Sequence, residues 1–122
     1  MPQVLVIEDY EDNALLVDRV MTPRGYTVLH APDGEIGLQM AEEHKPDLIL
    51  LDLGLPGIDG PTVASQVRRI PGLAEIPIIA FTAWPEETAR KMVEVYGCNG
   101  YIQKPVNINQ LAQQIESFFR PS

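Results

Sequence analysis

The sequence predicts an α/β fold with a mostly parallel, doubly wound sheet of five strands, and three observations support that prediction. Five short apolar runs alternate along the chain with stretches of helical periodicity. The strongest runs are continuously apolar, which is typical of strands buried on both faces of a parallel sheet. The links between the units are short, and right-handed crossovers would place helices on both faces of the sheet.

The apolar runs give five strand candidates. Three strong candidates cover residues 4–7, 48–51 and 76–81, and each is followed directly by a polar side chain. Two weaker candidates cover residues 26–29 and 101–102. Taken in chain order, these five segments are the strands of the predicted sheet.

Five amphipathic segments predict the helices that follow these strands. Residues 13–21 form the first helix, which Pro23 and Gly25 are expected to end. In the other four segments, residues at helical spacing would line one face of a helix, and we expect each such stripe to pack into the core. The stripe residues are Ile36, Met40, Ala41 and His44; Val63, Ala64, Val67 and Ile70; Ala89, Met92, Val93 and Tyr96; and Ile108, Leu111, Ala112, Ile115, Phe118 and Phe119.

Length, composition and charge exclude several classes of protein. The 122 residues correspond to one domain, and the net charge of −8 argues against direct binding of nucleic acid, which requires a basic surface. No apolar run is long enough to span a membrane, and the first residues lack the basic flank of a signal peptide. Cys98 is the only cysteine, so no disulfide can form within the chain. We therefore expect a cytoplasmic domain, either alone or as a piece of a longer protein, with neither membrane nor nucleic acid as a direct partner.

Residues that can carry chemistry follow four of the five predicted strands. Glu8 and Asp9 follow the first strand, Asp52 the third, Thr82 the fourth and Lys104 the fifth. In doubly wound sheets, ligands bind at the carboxyl ends of the strands, so these side chains are expected to converge. Three carboxylates at one place repel each other unless a cation lies among them, and Mg²⁺ matches such a set of oxygen ligands.

With Mg²⁺ present, one carboxylate could attack phosphorus and become an acyl phosphate. Asp52 is the preferred nucleophile because it ends the middle strand and precedes a glycine-containing loop, which lets the backbone approach a ligand closely. Glu8 and Asp9 would then hold the metal, while Lys104 and Thr82 would contact the phosphoryl oxygens. Each of these residues alone is typical of a turn, a cap or a surface position, so the hypothesis depends on their joint placement.

Five sequence blocks resemble the receiver domains of two-component response regulators. They are VLVIED at residues 4–9, PDLILLDL at 46–53, LPGIDG at 55–60, IPIIAFTA at 76–83 and YIQKP at 101–105. The resemblance extends over essentially the whole chain, residues 1–122, as one receiver domain similar to the chemotaxis regulators. It implies a flavodoxin-like sheet in the order 2-1-3-4-5 with five helices. It also implies phosphorelay signalling, in which a histidine kinase or a histidine-phosphotransfer protein donates a phosphoryl group to the domain.

The resemblance assigns roles to the residues at the strand ends. Asp52 matches the phosphoacceptor, and Lys104 matches the family lysine that pairs with a phosphoryl oxygen. Glu8 and Asp9 match the acidic pair that binds Mg²⁺ together with Asp52 and the main-chain carbonyl of Gly54. The first acid is more often aspartate in the family, so the longer side chain could change how the metal is held.

Further matches concern the switch and the lifetime of the acyl phosphate. Thr82 and Tyr101 match the switch pair, whose side chains move on phosphorylation, and the peptide before Pro105 resembles one that is cis in the family. Trp84 and Gly54 occupy positions that influence hydrolysis of the acyl phosphate in the family. Our hypothesis is that Trp84 partly covers the site while Gly54 opens it; the alternative is that Trp84 packs locally at the start of a helix.

The same resemblance implies two partner surfaces and a restricted activity. The face running from Pro85 to Phe119 would bind a downstream protein, and the first helix, around Asn13 and Leu16, would dock the phosphodonor. Such a domain is not an ordinary enzyme, because it catalyses only its own phosphorylation and dephosphorylation. Two alternatives stay open: a pseudo-receiver that binds partners without phosphorylation, and a phosphatase of the haloacid dehalogenase type. Pseudo-receivers usually lack some of the residues retained here, and those phosphatases carry a second aspartate where this chain has Gly54.

Overall fold

In the computed structural model, which describes residues 2–55 and 57–119, five strands alternate with five α-helices. The elements are β1 (Gln3–Ile7), α1 (Glu11–Met21), β2 (Thr27–Ala31), α2 (Gly34–His44), β3 (Leu48–Asp52), α3 (Gly60–Val67), β4 (Ile78–Thr82), α4 (Glu86–Tyr96), β5 (Gly100–Gln103) and α5 (Ile108–Ser117). A 3₁₀ turn, Thr22–Arg24, follows α1. No helix in the described ranges is both long and apolar enough to cross a membrane. Met1, Pro56 and residues 120–122 belong to the expected domain but lie outside the described residues.

All five strands pair in parallel, in the order β2-β1-β3-β4-β5. This arrangement confirms the predicted doubly wound, flavodoxin-like fold and its strand order. The observed strands differ from the predicted ones mainly at β2 and β4. Tyr26, which was expected in β2, precedes the strand, and its ring packs 5.2 Å from that of Phe119. β4 begins at Ile78, since Pro77 has no N–H to offer the ladder.

Two apolar clusters pack on opposite faces of the sheet, because successive residues of a strand point to opposite sides. Val4 and Val6 of β1 belong to the cluster that includes buried residues of α1 and α5. Leu5 and Ile7 belong to the cluster that includes buried residues of α2 and α3. Coverage of both faces explains why the strand sequences are continuously apolar rather than alternating.

Four residues of the predicted stripes are exposed instead of packed into the core. Ile36, Tyr96 and Ile108 are 38%, 36% and 43% exposed, and His44 is exposed as well. All four lie in the first or last turn of their helices, where fewer neighbouring elements are present to bury a side chain. The prediction that every stripe residue joins the core was therefore wrong at the helix ends.

The parallel register brings the carboxyl ends of the strands to one edge of the sheet. Ile7 pairs with Leu51, so that the acidic residues after β1 lie beside Asp52 at the end of β3. Thr82 at the end of β4 pairs with Gln103, the residue before the lysine that follows β5. This edge contains the point between β1 and β3 where the strand order reverses, which is the usual ligand position in such sheets.

Candidate functional site at the carboxyl ends of the strands

Three carboxylates meet at this edge. Glu8 and Asp9 follow β1, Asp52 ends β3, and one ligand oxygen from each lies within 4.8 Å of the others. Glu8 is fully buried, Asp52 is 8% exposed, and Asp9 is open to solvent. Negative charges this close in a largely buried setting disfavour ionisation unless positive charge compensates them.

Lys104 supplies positive charge to these carboxylates. Its Nζ lies 2.6 Å from Glu8 Oε1 and 3.6 Å from Asp52 Oδ2, so its short ion pair is with Glu8. The ammonium also lies 5.1 Å from the centre of the Phe81 ring, within the range of a cation–π contact. The peptide between Lys104 and Pro105 is cis, as the family resemblance implies. Lys104 thus faces the acidic cluster from β5 and is held over the end of β4.

Two groups from the start of α1 also hold the Glu8 carboxylate. The N–H of Tyr10 donates to Oε2 at 3.2 Å, and Asn13 Nδ2 donates to Oε1 at 3.3 Å. Sequence reasoning placed Asn13 on a docking surface and missed this contact with Glu8. Its only sequence signal is its position in the first turn of the helix that follows the acidic pair.

The electrostatic setting of Asp52 differs from that of an ordinary surface aspartate. Its Oδ1 accepts a hydrogen bond of 2.8 Å from the N–H of Gly54. Burial, together with its proximity to Glu8, raises the pKa of Asp52 to about 7, although the Gly54 N–H and Lys104 act in the opposite direction. In the absence of a cation, this carboxyl therefore holds its proton up to about neutral pH. A divalent cation among the three acids would favour the ionised form instead.

Thr82 ends β4 with a buried hydroxyl. Its Oγ1 accepts a hydrogen bond of 3.0 Å from the N–H of Trp84, and Gln103 Nε2 donates to the carbonyl of Trp84 at 3.0 Å. Both polar groups of the Trp84 backbone are therefore fixed to strand ends. Trp84 is half-buried and directly precedes Pro85, the residue at the start of α4. These contacts agree with local packing at a helix start.

Tyr101 on β5 connects the sheet to α4. Its hydroxyl donates to Glu86 Oε1 at 3.0 Å, and the same oxygen lies 2.8 Å from Nη2 of Arg90, one helical turn further along α4. Sequence reasoning identified Tyr101 but missed Glu86 and Arg90. These two residues carry no motif of their own and are recognised only through the contact.

The donor set at this edge suits a hard divalent cation. All three side chains offer carboxylate oxygens, and neither cysteine nor histidine belongs to the cluster. Mg²⁺ prefers oxygen ligands, binds few protein carboxylates directly and retains several waters, which an edge open at Asp9 allows. Glu8, Asp9 and Asp52 could therefore hold such an ion.

Comparison with known proteins places this chain in a family. The family model described as the response regulator receiver domain matches residues 4–116. The chain belongs to the response regulator receiver domain family. Among curated relatives, the polar-differentiation response regulator DivK of Brucella anthropi is 34% identical over 119 residues, which are 97% of each chain.

Solved structures agree with that assignment. Chemotaxis protein CheY4 of Vibrio cholerae superposes with a TM-score of 0.90 over 97% of this chain and 98% of its own, and its 24% identity supports the fold alone. The receiver domain of a Pseudomonas aeruginosa sensor histidine kinase is 28% identical, with a TM-score of 0.85 and 97% coverage of both chains. That structure carries a magnesium ion coordinated in its active-site cleft.

Membership of the receiver family has direct consequences. This receiver domain is a module of two-component signal transduction and not an enzyme in the ordinary sense. Receiver domains typically bind a divalent metal, interact with kinases or phosphotransfer proteins, and act on downstream effectors. The acidic cluster of Glu8, Asp9 and Asp52 resembles the metal site that such domains carry.

Proposed function

We propose that Asp52 is the phosphoacceptor of this receiver domain and that the donor is a histidine of a kinase or phosphotransfer protein. The observation that supports this most is the position of the Asp52 carboxylate. It is nearly buried at the switch point of the sheet, within 4.8 Å of oxygens of Glu8 and Asp9, and 3.6 Å from Lys104. A carboxylate there has both metal ligands and an ammonium close to it, which is what a phosphoryl group requires.

The transfer itself would proceed at the Asp52 side chain. One carboxylate oxygen forms a bond to phosphorus while the phosphorus–nitrogen bond of the donor histidine breaks, and the histidine nitrogen keeps the electron pair. Gly54 N–H already holds Oδ1 at 2.8 Å, which orients the carboxylate. We propose that Mg²⁺ is held by Glu8, Asp9, Asp52 and the Gly54 carbonyl. When bound, the ion would neutralise charge on the transferring oxygens.

Lys104 and the switch residues would respond to the new charge. Phosphorylation adds nearly two negative charges beside Lys104, whose ammonium can turn from Glu8 to a phosphoryl oxygen. Thr82 could donate a hydrogen bond from its hydroxyl to another phosphoryl oxygen. The ring of Tyr101 would then turn inward, as the family resemblance implies. We propose that the surface from Pro85 to Phe119 carries this change to a downstream protein.

We further propose that the phosphodonor docks on the α1 side of the site. Leu15 of α1 is 51% exposed and Tyr10 is 59% exposed, so apolar surface lies next to the acidic residues. Leu16, which the sequence favoured, is partly buried against the core, and Asn13 is engaged with Glu8. Within the predicted docking surface, the exposed Tyr10 and Leu15 therefore support the proposal better than Asn13 and Leu16 do.

Four remaining expectations become proposals of the same kind. Residues 1–122 would form one receiver domain, and its only chemistry would be its own phosphorylation and dephosphorylation. A cytoplasmic location fits a chain whose single cysteine cannot form an internal disulfide. Neither nucleic acid nor a membrane is proposed as a direct partner, and the net charge of −8 argues against nucleic acid in particular.

The direct test is phosphorylation by a small donor. The protein is incubated with Mg²⁺ and acetyl phosphate, then weighed by mass spectrometry, and we expect one added phosphoryl group. The Asp52→Asn variant should gain none, whereas Asp59→Asn, at an exposed helix cap a few residues away, should behave like the wild type. Addition to the Asp52→Asn variant, or none to the wild type, would overturn the proposal, and only the second outcome would favour the pseudo-receiver alternative.

A further inference from the structure

His30 on β2 contacts the acidic pair from behind. Its Nε2 lies 2.8 Å from the main-chain carbonyl oxygen of Glu8. A carbonyl oxygen can only accept, so this ring nitrogen must carry the proton. The imidazole is partly buried, and none of the roles described above involves it.

The bonded carbonyl belongs to the peptide unit that joins Glu8 to Asp9. The N–H of Glu8 is also bonded to β2, where it donates to the carbonyl of Ala31 at 3.0 Å. Both main-chain polar groups of Glu8 are thus fixed to the neighbouring strand, one by its backbone and one by a side chain. Fixing the carbonyl restricts rotation of the Glu8–Asp9 peptide plane. The orientation of that plane determines the position from which the Asp9 side chain extends.

Asp9 depends on this restraint more than Glu8 does. The Glu8 carboxylate is held by Lys104, Tyr10 and Asn13. The exposed Asp9 carboxylate has no hydrogen bond or ion pair with any side chain or backbone group in residues 2–55 and 57–119. Its position near the other two acids is therefore determined by the backbone leading to it.

We propose that His30 is a positioning residue, which orients the Glu8–Asp9 peptide so that the acidic pair is prearranged for a divalent cation. The inference rests on the proposed function in so far as the cation is Mg²⁺. Residues that orient metal ligands from outside the coordination shell typically contribute about 10-fold to 100-fold in metal affinity. We expect the lower end of that range, because His30 acts on one ligand pair through the backbone.

The test compares two substitutions that differ in hydrogen bonding. His30→Gln keeps a donor nitrogen at nearly the reach of Nε2, whereas His30→Leu fills similar space and donates nothing. Mg²⁺ affinity is measured by titration calorimetry on the unphosphorylated protein. His30→Leu should bind Mg²⁺ about 10-fold more weakly, and His30→Gln should recover most of that loss. Val28→Ala, two residues earlier on β2 and packed against the core, controls for general loosening of the strand and should bind Mg²⁺ normally.

A second measurement needs no metal. The ¹³C chemical shift of the Glu8 carbonyl reports its hydrogen bond directly, so in metal-free protein it should change in His30→Leu and stay near the wild-type value in His30→Gln. If wild-type protein binds no Mg²⁺ at all, the proposed function fails, and this shift alone decides whether His30 orients the peptide. Unchanged Mg²⁺ affinity in folded His30→Leu, equal losses in both variants, or an unchanged carbonyl shift would overturn the inference.

Discussion

Replacing Asp52 by asparagine is expected to stabilise the metal-free protein at alkaline pH. Asparagine has the same shape, and its side-chain oxygen can still accept the hydrogen bond that Gly54 N–H donates at 2.8 Å. What the substitution removes is the negative charge beside Glu8. The ion pair of 2.6 Å between Lys104 and Glu8 stays intact, so the substitution leaves no buried charge without a partner.

The size of the effect follows from the pKa of Asp52. Burial and the nearby Glu8 raise it from 3.8 to about 7. At about 1.4 kcal/mol for each unit, the full shift would correspond to about 4 kcal/mol of lost stability once the group is ionised. Asp9, which lies beside Asp52, is exposed to solvent, and solvent screening reduces such electrostatic energies, so we expect about 2 kcal/mol for Asp52→Asn at about pH 8.

The direction of the pKa shift also determines how the stability depends on pH. The folded state binds the Asp52 proton more tightly than the unfolded state, so this group favours folding below its unfolded pKa of 3.8 and loses that contribution as pH rises through about 7. The gain from Asp52→Asn should therefore be smallest near pH 4 and largest above neutrality.

Urea unfolding in a chelating buffer, followed by circular dichroism between about pH 4 and about pH 8, measures this dependence. Asp59→Asn is the matched control, because Thr62 lowers the pKa of that exposed cap carboxyl and the substitution should not stabilise at any pH. Equal pH dependence in wild-type and Asp52→Asn protein, or a less stable variant at about pH 8, would refute the reasoning.

Two further predictions concern packing and the metal. Gly60→Ala places a Cβ 2.5 Å from the Leu53 Cα and 2.6 Å from the Asp52 carbonyl oxygen, both backbone atoms, so urea unfolding should show a loss of about 1–3 kcal/mol. Gly54→Ala, whose Cβ meets Asp52 Oδ1 at an ordinary 3.6 Å, should change stability far less, and equal losses would contradict the packing argument. Excess Mg²⁺, at about 100 times its Kd, should stabilise wild-type protein by about 2.7 kcal/mol in thermal melts. Asp9→Asn should lose most of that gain, and a full gain in this variant would exclude Asp9 as a ligand.

Much of the fold could be predicted from the sequence because its signals are local. Strands buried on both faces are continuously apolar, and the helices between them carry one apolar stripe, so the five-unit pattern is readable without knowledge of the pairing. The limits of elements were less predictable. Tyr26 is apolar enough to extend β2, but its ring packs against Phe119, which lies close to the other end of the sequence. Sequence periodicity contains no signal for that contact.

The candidate site, like the fold, has residues that the sequence predicts and residues that it does not. The residues at the strand ends could be found because the fold class alone predicts that the carboxyl ends of parallel strands meet. The residues that hold these side chains in place could not be found from the sequence. His30 lies 22 positions from Glu8, and Glu86 lies 15 positions from Tyr101, and each is an unremarkable polar residue until the pairing of strands and helices places it against its partner.

The proposed phosphoryl-contacting and switch residues all have partners before phosphorylation. Lys104 is paired with Glu8, the Thr82 hydroxyl accepts from the Trp84 N–H, and the Tyr101 hydroxyl donates to α4. Lys104 cannot leave fully buried Glu8 unless other positive charge replaces it, since an unpaired buried carboxylate is strongly disfavoured. A cation held by Glu8 would provide that charge and free the ammonium for a phosphoryl oxygen. Metal binding and phosphorylation should therefore favour each other through Lys104, in addition to any direct contact between the ion and the phosphoryl group.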